Sequence, residues 1–119
     1  MNGRLAVPVR DGVGLQARLD RQLGRAAAFV VVDLDGSVEP VYLINEGVQA
    51  EQGAGIGAAA LLLQHGVTAV AAEHFGPKAE QALRAGGAAL YTAPGGLTVA
   101  EVLERFRAGT LVRHELKVY

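Results

Sequence analysis

Short apolar runs alternate with glycine-punctuated polar stretches along the chain, and the spacing predicts an α/β protein. Leu5–Val9 is apolar and interrupted by Pro8, which predicts a first strand. Arg10–Arg25 is polar and broken by Gly12, Gly14 and Gly24, yet Leu15, Leu19 and Leu23 recur every fourth residue, which predicts a short helix inside this connection. Ala28–Asp33 is a second strand, Asp35-Gly36 a turn signal, and Val38–Ile44 a third strand, so this segment reads as a β-hairpin. Polar Asn45–Gln52 opens into Gly53-Ala54-Gly55-Ile56-Gly57. A helix over Ala58–Gln64 follows, with His65 and Gly66 supplying a cation and a C-cap glycine. Val67–Ala72 is continuously apolar, as expected of a fourth strand buried on both faces. Pro77 suits the first turn of a helix that runs to about Ala85 and stops at Gly86-Gly87. Ala88–Thr92 is the fifth strand. Thr98 and Glu101 form a capping-box pair that opens a last helix ending before Gly109. Thr110–Tyr119 alternates only in part, leaving two readings open: an edge strand, or a segment that pairs with another subunit.

The resulting order, βββαβαβα, combines an antiparallel hairpin with strand–helix–strand units that demand parallel pairing, so the sheet is mixed. With 119 residues, 50% hydrophobic and 5% aromatic, the chain makes one domain with an aliphatic core. The net charge is −1, which gives no basic surplus for nucleic acid. Cysteine is absent, so any metal ligand must be one of the three histidines or a carboxylate. No signal-peptide pattern or membrane-length apolar run is present, and a cytoplasmic location is expected.

In open α/β sheets the site lies outside the carboxyl ends of the parallel strands. That rim gathers the loops Arg10–Arg25, Gly53–Gly57, Glu73–Lys78 and Ala93–Thr98. It carries glycines, helix starts, His74 and the cations Arg10, Arg25 and Lys78, a combination suited to an anion. Gly53–Ala58 matches a dinucleotide fingerprint in letters, with Glu73 twenty residues on. The fingerprint requires a strand immediately before the glycines, and Asn45–Gln52 intervenes, so no nucleotide is expected. Gly76-Pro77-Lys78 reads equally as an anion site or a plain helix start. Asp33 and Asp35 could together bind a divalent metal, but turn chemistry explains Asp35 better; His65 is explained by its helix terminus. His114 stands in the tail, where a surface or interface place is expected. The single serine, Ser37, sits in the hairpin turn, and no nucleophile–base pair stands out, so no catalysis is expected.

An ordered set of short motifs then resembles the dinitrogenase iron–molybdenum cofactor biosynthesis family, the nitrogenase accessory factors, from about Leu5 to Leu111. The motifs are Ala6-Val7-Pro8-Val9 with Asp11-Gly12, Leu23-Gly24-Arg25-Ala26, Gly53-Ala54-Gly55-Ile56, Gly66-Val67, Gly76-Pro77-Lys78-Ala79, Ala85-Gly86-Gly87, Leu90-Tyr91 and Phe106-Arg107-Ala108-Gly109. The resemblance implies a three-layer α/β/α ribonuclease H-like fold. Its five-stranded mixed sheet would have order 3-2-1-4-5 with strand 2 antiparallel. A nuclease of that fold would want acids on the first strand, where Leu5–Val9 has none. It also implies binding or delivery of an iron–sulfur or iron–molybdenum type cluster. The family often carries His-Phe-Gly just before the second strand, where this chain has Gln22-Leu23-Gly24. A His-Phe-Gly occurs instead at His74-Phe75-Gly76, on a loop expected to lie beside the first.

The expected site comprises Gln22, Gly24, Arg25, Gly53, Gly55, His74, Gly76 and Lys78, with His74 the one candidate metal ligand. The expected role is a cofactor-binding accessory or carrier protein, monomeric or homodimeric, exchanging cargo with donor and acceptor proteins. The alternative is a metal-free module of the same fold that binds a small anion or a protein.

Overall fold

The computed structural model describes residues 3–36, 39–45 and 54–114. In chain order its strands are β1 (Arg4–Asp11), β2 (Arg18–Leu19), β3 (Ala28–Asp33), β4 (Val41–Ile44), β5 (Ala69–Ala72), β6 (Ala89–Thr92) and β7 (Val112–Arg113). The helices are α1 (Ala54–Gln64), α2 (Pro77–Ala85) and α3 (Val99–Ala108). The sheet runs β4-β3-β1-β5-β6-β7, with β2 attached to β1. β1, β5 and β6 are parallel, whereas β3 is antiparallel to β1, β4 to β3, and β7 to β6.

Strand alternation feeds a core on each face of the sheet. Leu5, Val7, Val9, Val30 and Val32 join Val99, Val102 and Leu103 of α3. Ala6, Phe29, Val31, Val70 and Leu90 join Ala58, Ala59 and Leu62 of α1 and Ala79 and Leu83 of α2. α2 and α3 turn apolar residues three and four apart toward the sheet as one stripe, whereas α1 is apolar nearly all round and buries Ala58, Ala59 and Leu62.

The sheet has seven strands rather than the five expected. Both additions are two-residue strands: β2 is too short to leave an alternation in the sequence, and β7 makes an edge strand of the start of the Thr110–Tyr119 tail, one of its two readings. β2 also replaces the short helix expected over Leu15, Leu19 and Leu23; only a single 3-10 turn forms there, at Gly14–Gln16. The leucines cannot form one helical stripe because they serve opposite faces: Leu19 enters the α3 core and Leu23 the α1–α2 core. Gly12 makes the turn into this segment at φ +91°, and a Cβ there would meet the Ala17 Cα at 2.7 Å.

β1 changes neighbours partway along. One edge pairs with β3 from Arg4 to Val9, while the other pairs with β5 only at Leu5 and Ala6. Farther on, β2 takes that edge, with Leu19 opposite Val9. Pro8, which has no N–H for a ladder, lies where the exchange occurs, and its carbonyl accepts from the Asp20 N–H at 2.8 Å.

α3 is closed at both ends as its sequence predicts. The Thr98 hydroxyl accepts from the Glu101 N–H at 3.3 Å, and the Thr98 N–H donates to Glu101 Oε1 at 3.0 Å. Gly109 ends the helix at φ 74°. The Thr98 N–H, and then its hydroxyl, hold the Glu101 carboxyl below the usual glutamate pKa. Thr98→Ala is therefore expected to lower unfolding free energy by about 1 kcal/mol in urea denaturation. A group whose folded pKa is lowered adds stability above its unfolded pKa, about 4.3, and loses it as pH falls below that toward the folded value. Glu101→Gln should consequently flatten the acid side of the stability profile, and an unchanged acid limb would remove this contribution.

Candidate functional site

At the carboxyl end of the parallel strands, the connection after β1 is stitched to both neighbouring loops. Leu19 N–H donates to the Leu97 carbonyl at 2.9 Å, and Val99 N–H donates to the Ala17 carbonyl at 2.9 Å. On the other side the His74 N–H donates to the Arg21 carbonyl at 3.1 Å, and Gln22 pairs with His74 in a parallel bridge. The backbone of Asp20–Gln22 thus spans the gap that opens where β1 and β5 part.

Next to this bridge lies a cleft of about 350 Å³, lined by Gln22, Leu23, Gly24, Arg25, Gly55, His74, Phe75, Gly76 and Ala79. This is within the range of small-ligand sites, about 300–1,000 Å³. An adjoining open shelf of about 530 Å³ shares Gln22, Arg25 and His74 and adds Asp20 and Arg21. A third depression, lined by Arg4, Asp33, Glu39 and His65 among others, is only about 70 Å³. Arg4 tightens it, donating to Asp33 Oδ1 at 2.7 Å and to the His65 carbonyl at 2.8 Å.

The cleft joins six of the expected residues: Gln22, Gly24, Arg25, Gly55, His74 and Gly76. Lys78 is exposed in the first turn of α2 and is not part of the lining. Gly53 lies outside the described residues. Gly55 was expected in a loop but stands in the first turn of α1. A Cβ on it would come within 3.2 Å of the Ala79 Cβ, so the glycine allows α1 and α2 to approach and form the floor. Gly76 is the N-cap of α2, and no side chain caps that helix. Its first amides therefore add partial positive charge at the cleft.

The His74 side chain is 65% exposed, so its ring is open to a ligand; Glu73 Oε1 lies 3.9 Å from Nε2. Among the described residues, no group of three or more His, Cys, Asp or Glu is placed to hold a metal ion. Arg10 is not in the lining of any of these three depressions; it pairs with Asp11 at 3.9 Å in an exposed contact worth little.

Sequence reasoning missed several contributors. Phe75 and Leu23 supply apolar wall, and Arg21 adds a cation to the shelf. Asn45 is buried and donates through Nδ2 to the carbonyls of Gly24 and Ala26 at 3.2 and 2.9 Å. It thereby fixes the turn that carries Arg25. An asparagine directly after an apolar strand was the available signal, but its partners are some twenty residues away.

Residues 3–109 match the family model described as dinitrogenase iron–molybdenum cofactor. No curated protein matches the chain significantly. The apo form of the orange protein from Desulfovibrio gigas is similar, at 36% identity and TM-score 0.88, over 96% of this chain and 94% of that one. A Thermotoga protein of the DUF35 family is similar at 26% identity and TM-score 0.82, over 98% and 97% of the two chains. A Methanocaldococcus jannaschii protein, at 12% identity and TM-score 0.70 over 98% and 99%, shares the fold alone.

Asn45→Ala should destabilise the protein by about 1–3 kcal/mol by leaving buried carbonyls without a donor. Asn45→Asp should do no better, because a carboxylate cannot donate. Chemical denaturation of both variants tests the donor role, and an Asp variant of wild-type stability would refute it.

Proposed function

Since the chain belongs to the dinitrogenase iron–molybdenum cofactor family, we propose that it is a small accessory or carrier protein that holds an anionic metal–sulfur cluster as cargo in the cleft beside Gln22 and His74. The observation that carries this reading is the lining itself. It brings Arg25, His74, the uncapped start of α2 and an apolar wall from Leu23 and Phe75 to one cleft. We also read the sheet with helices on both faces as the three-layer ribonuclease H-like motif.

The donor set decides how such cargo is held. With no cysteine in the chain and no cage of ligands among the described residues, those residues do not supply a full coordination sphere. The cluster arrives with its own sulfide ligands and is retained as an anion. Charge is balanced by Arg25, by the first amides of α2, and by Arg21 and Lys78 at longer range. His74 offers one ring nitrogen to a metal at the edge of the cargo. The shelf leaves that edge open to donor and acceptor proteins, here read as nitrogenase-related. No catalysis is assigned, because the cleft pairs no nucleophile with a base.

A second reading is favoured by one observation. Gln22 stands where the family often has histidine, and its bridge to His74 is made by backbone. The same cleft would then take a small metal-free anion.

Anaerobic reconstitution with a synthetic iron–sulfur cluster donor, followed by desalting, tests the first reading through visible absorption and iron content. Wild-type protein is expected to retain near-stoichiometric cluster and His74→Ala to lose it. Arg25→Gln should weaken retention about tenfold, the scale of one charge-assisted hydrogen bond. A wild-type protein that retains no cluster would eliminate the carrier reading in favour of the metal-free one.

A further inference from the structure

His114 lies far from the cleft in sequence, in a segment that sequence reasoning left as surface or interface, yet it is half-buried and held from several sides. Its N–H donates to the Leu90 carbonyl of β6 at 2.8 Å. Its carbonyl accepts from Arg84 of α2. Its Nε2 lies 3.2 Å from Glu80 Oε1, the oxygen that also accepts from Arg84. Its ring stacks on Phe75, with centroids 5.1 Å apart and planes 25° from parallel. Phe75 in turn lines the cleft, one residue from His74 and next to the Gly76 cap of α2.

We propose that His114 is a positioning residue for the cleft: the segment after α3 acts as a strap whose histidine ring backs Phe75 and so fixes the wall loop Glu73–Gly76. The proposal deepens the carrier reading, because it names a part of the chain to which the state of that site is tied. β7 is only two residues long and pairs at the edge of the sheet. Besides that pairing, the strap is held by Leu111 packed against the α3-side core, by Arg113 over the Tyr91 ring at 5.5 Å, and at its end by the His114 contacts to α2 and Phe75. Coupling of this kind is reciprocal: cargo that packs against Phe75 steadies the strap, and a protein that draws the strap away loosens the wall.

The ring stack can be separated from the ion pair. His114→Phe keeps an aromatic ring against Phe75 and loses the contact with Glu80, whereas His114→Ala loses both. The test is amide hydrogen exchange on cargo-free protein, read at the His74 N–H that bonds to Arg21. His114→Ala is expected to speed this exchange about fivefold, in keeping with the loss of one aromatic pair, and His114→Phe to restore it. Phe75→Leu should reciprocally speed exchange of the His114 N–H. Unchanged His74 exchange in His114→Ala, or failure of His114→Phe to restore it, would overturn the proposal. Since the measurement needs no cargo, it stands apart from the carrier reading. A wild-type protein that retains no cluster would sink that reading while exchange still decides the strap. If cluster is retained, His114→Ala should release it several-fold faster and His114→Phe at close to the wild-type rate.

Discussion

The site depends on an early parting of two parallel strands. β1 and β5 pair only at Leu5 and Ala6. Beyond that point Pro8 cannot donate to a ladder, and the space is taken by the returning connection. The backbone of residues 17–22 fills it and bonds to β1, to the loop before α3 and to the loop before α2. A crevice at a strand-order switch is usual in open α/β sheets. Here a strip of peptide bridges it, satisfying polar groups that would otherwise be exposed at the edge of two cores. Gln22 and His74 become neighbours because those backbone bonds set their register.

Most of the framework was legible because periodicity and punctuation agree. Ala28–Asp33 carries a strand pattern, Thr98-x-x-Glu101 a cap, and Pro77 with Gly86 the limits of α2, and each is used as local physics dictates. The connection after β1 misled for an equally local reason. Leucines four apart are a helix signal only if they share a face, and Leu19 and Leu23 bury themselves on opposite sides of the sheet. Nothing local encodes that division, since it follows from where β1 exchanges partners.

The candidate site divides the same way. The rim could be located from strand direction, and His74 and Arg25 from their place on it. Phe75 was legible only as the middle of His74-Phe75-Gly76 and not as cleft wall, while Asn45 and His114 were not legible, because their partners, the Gly24–Ala26 turn and the Phe75 ring, are distant in sequence. A buried amide after an edge strand carries no mark distinguishing a turn-holding role from a solvated one. Once the fold is known, its two donors identify it.

Arg4 has a consequence for the way the sheet is held at its far end. By joining Asp33, the His65 carbonyl and, through its N–H, Thr68 Oγ1 at 3.0 Å, it closes the end of the sheet opposite the cleft. β1 is thereby fastened to β3 and to the approach to β5 at the end where β1 and β5 still pair, and the two strands part only toward the end that carries the cleft.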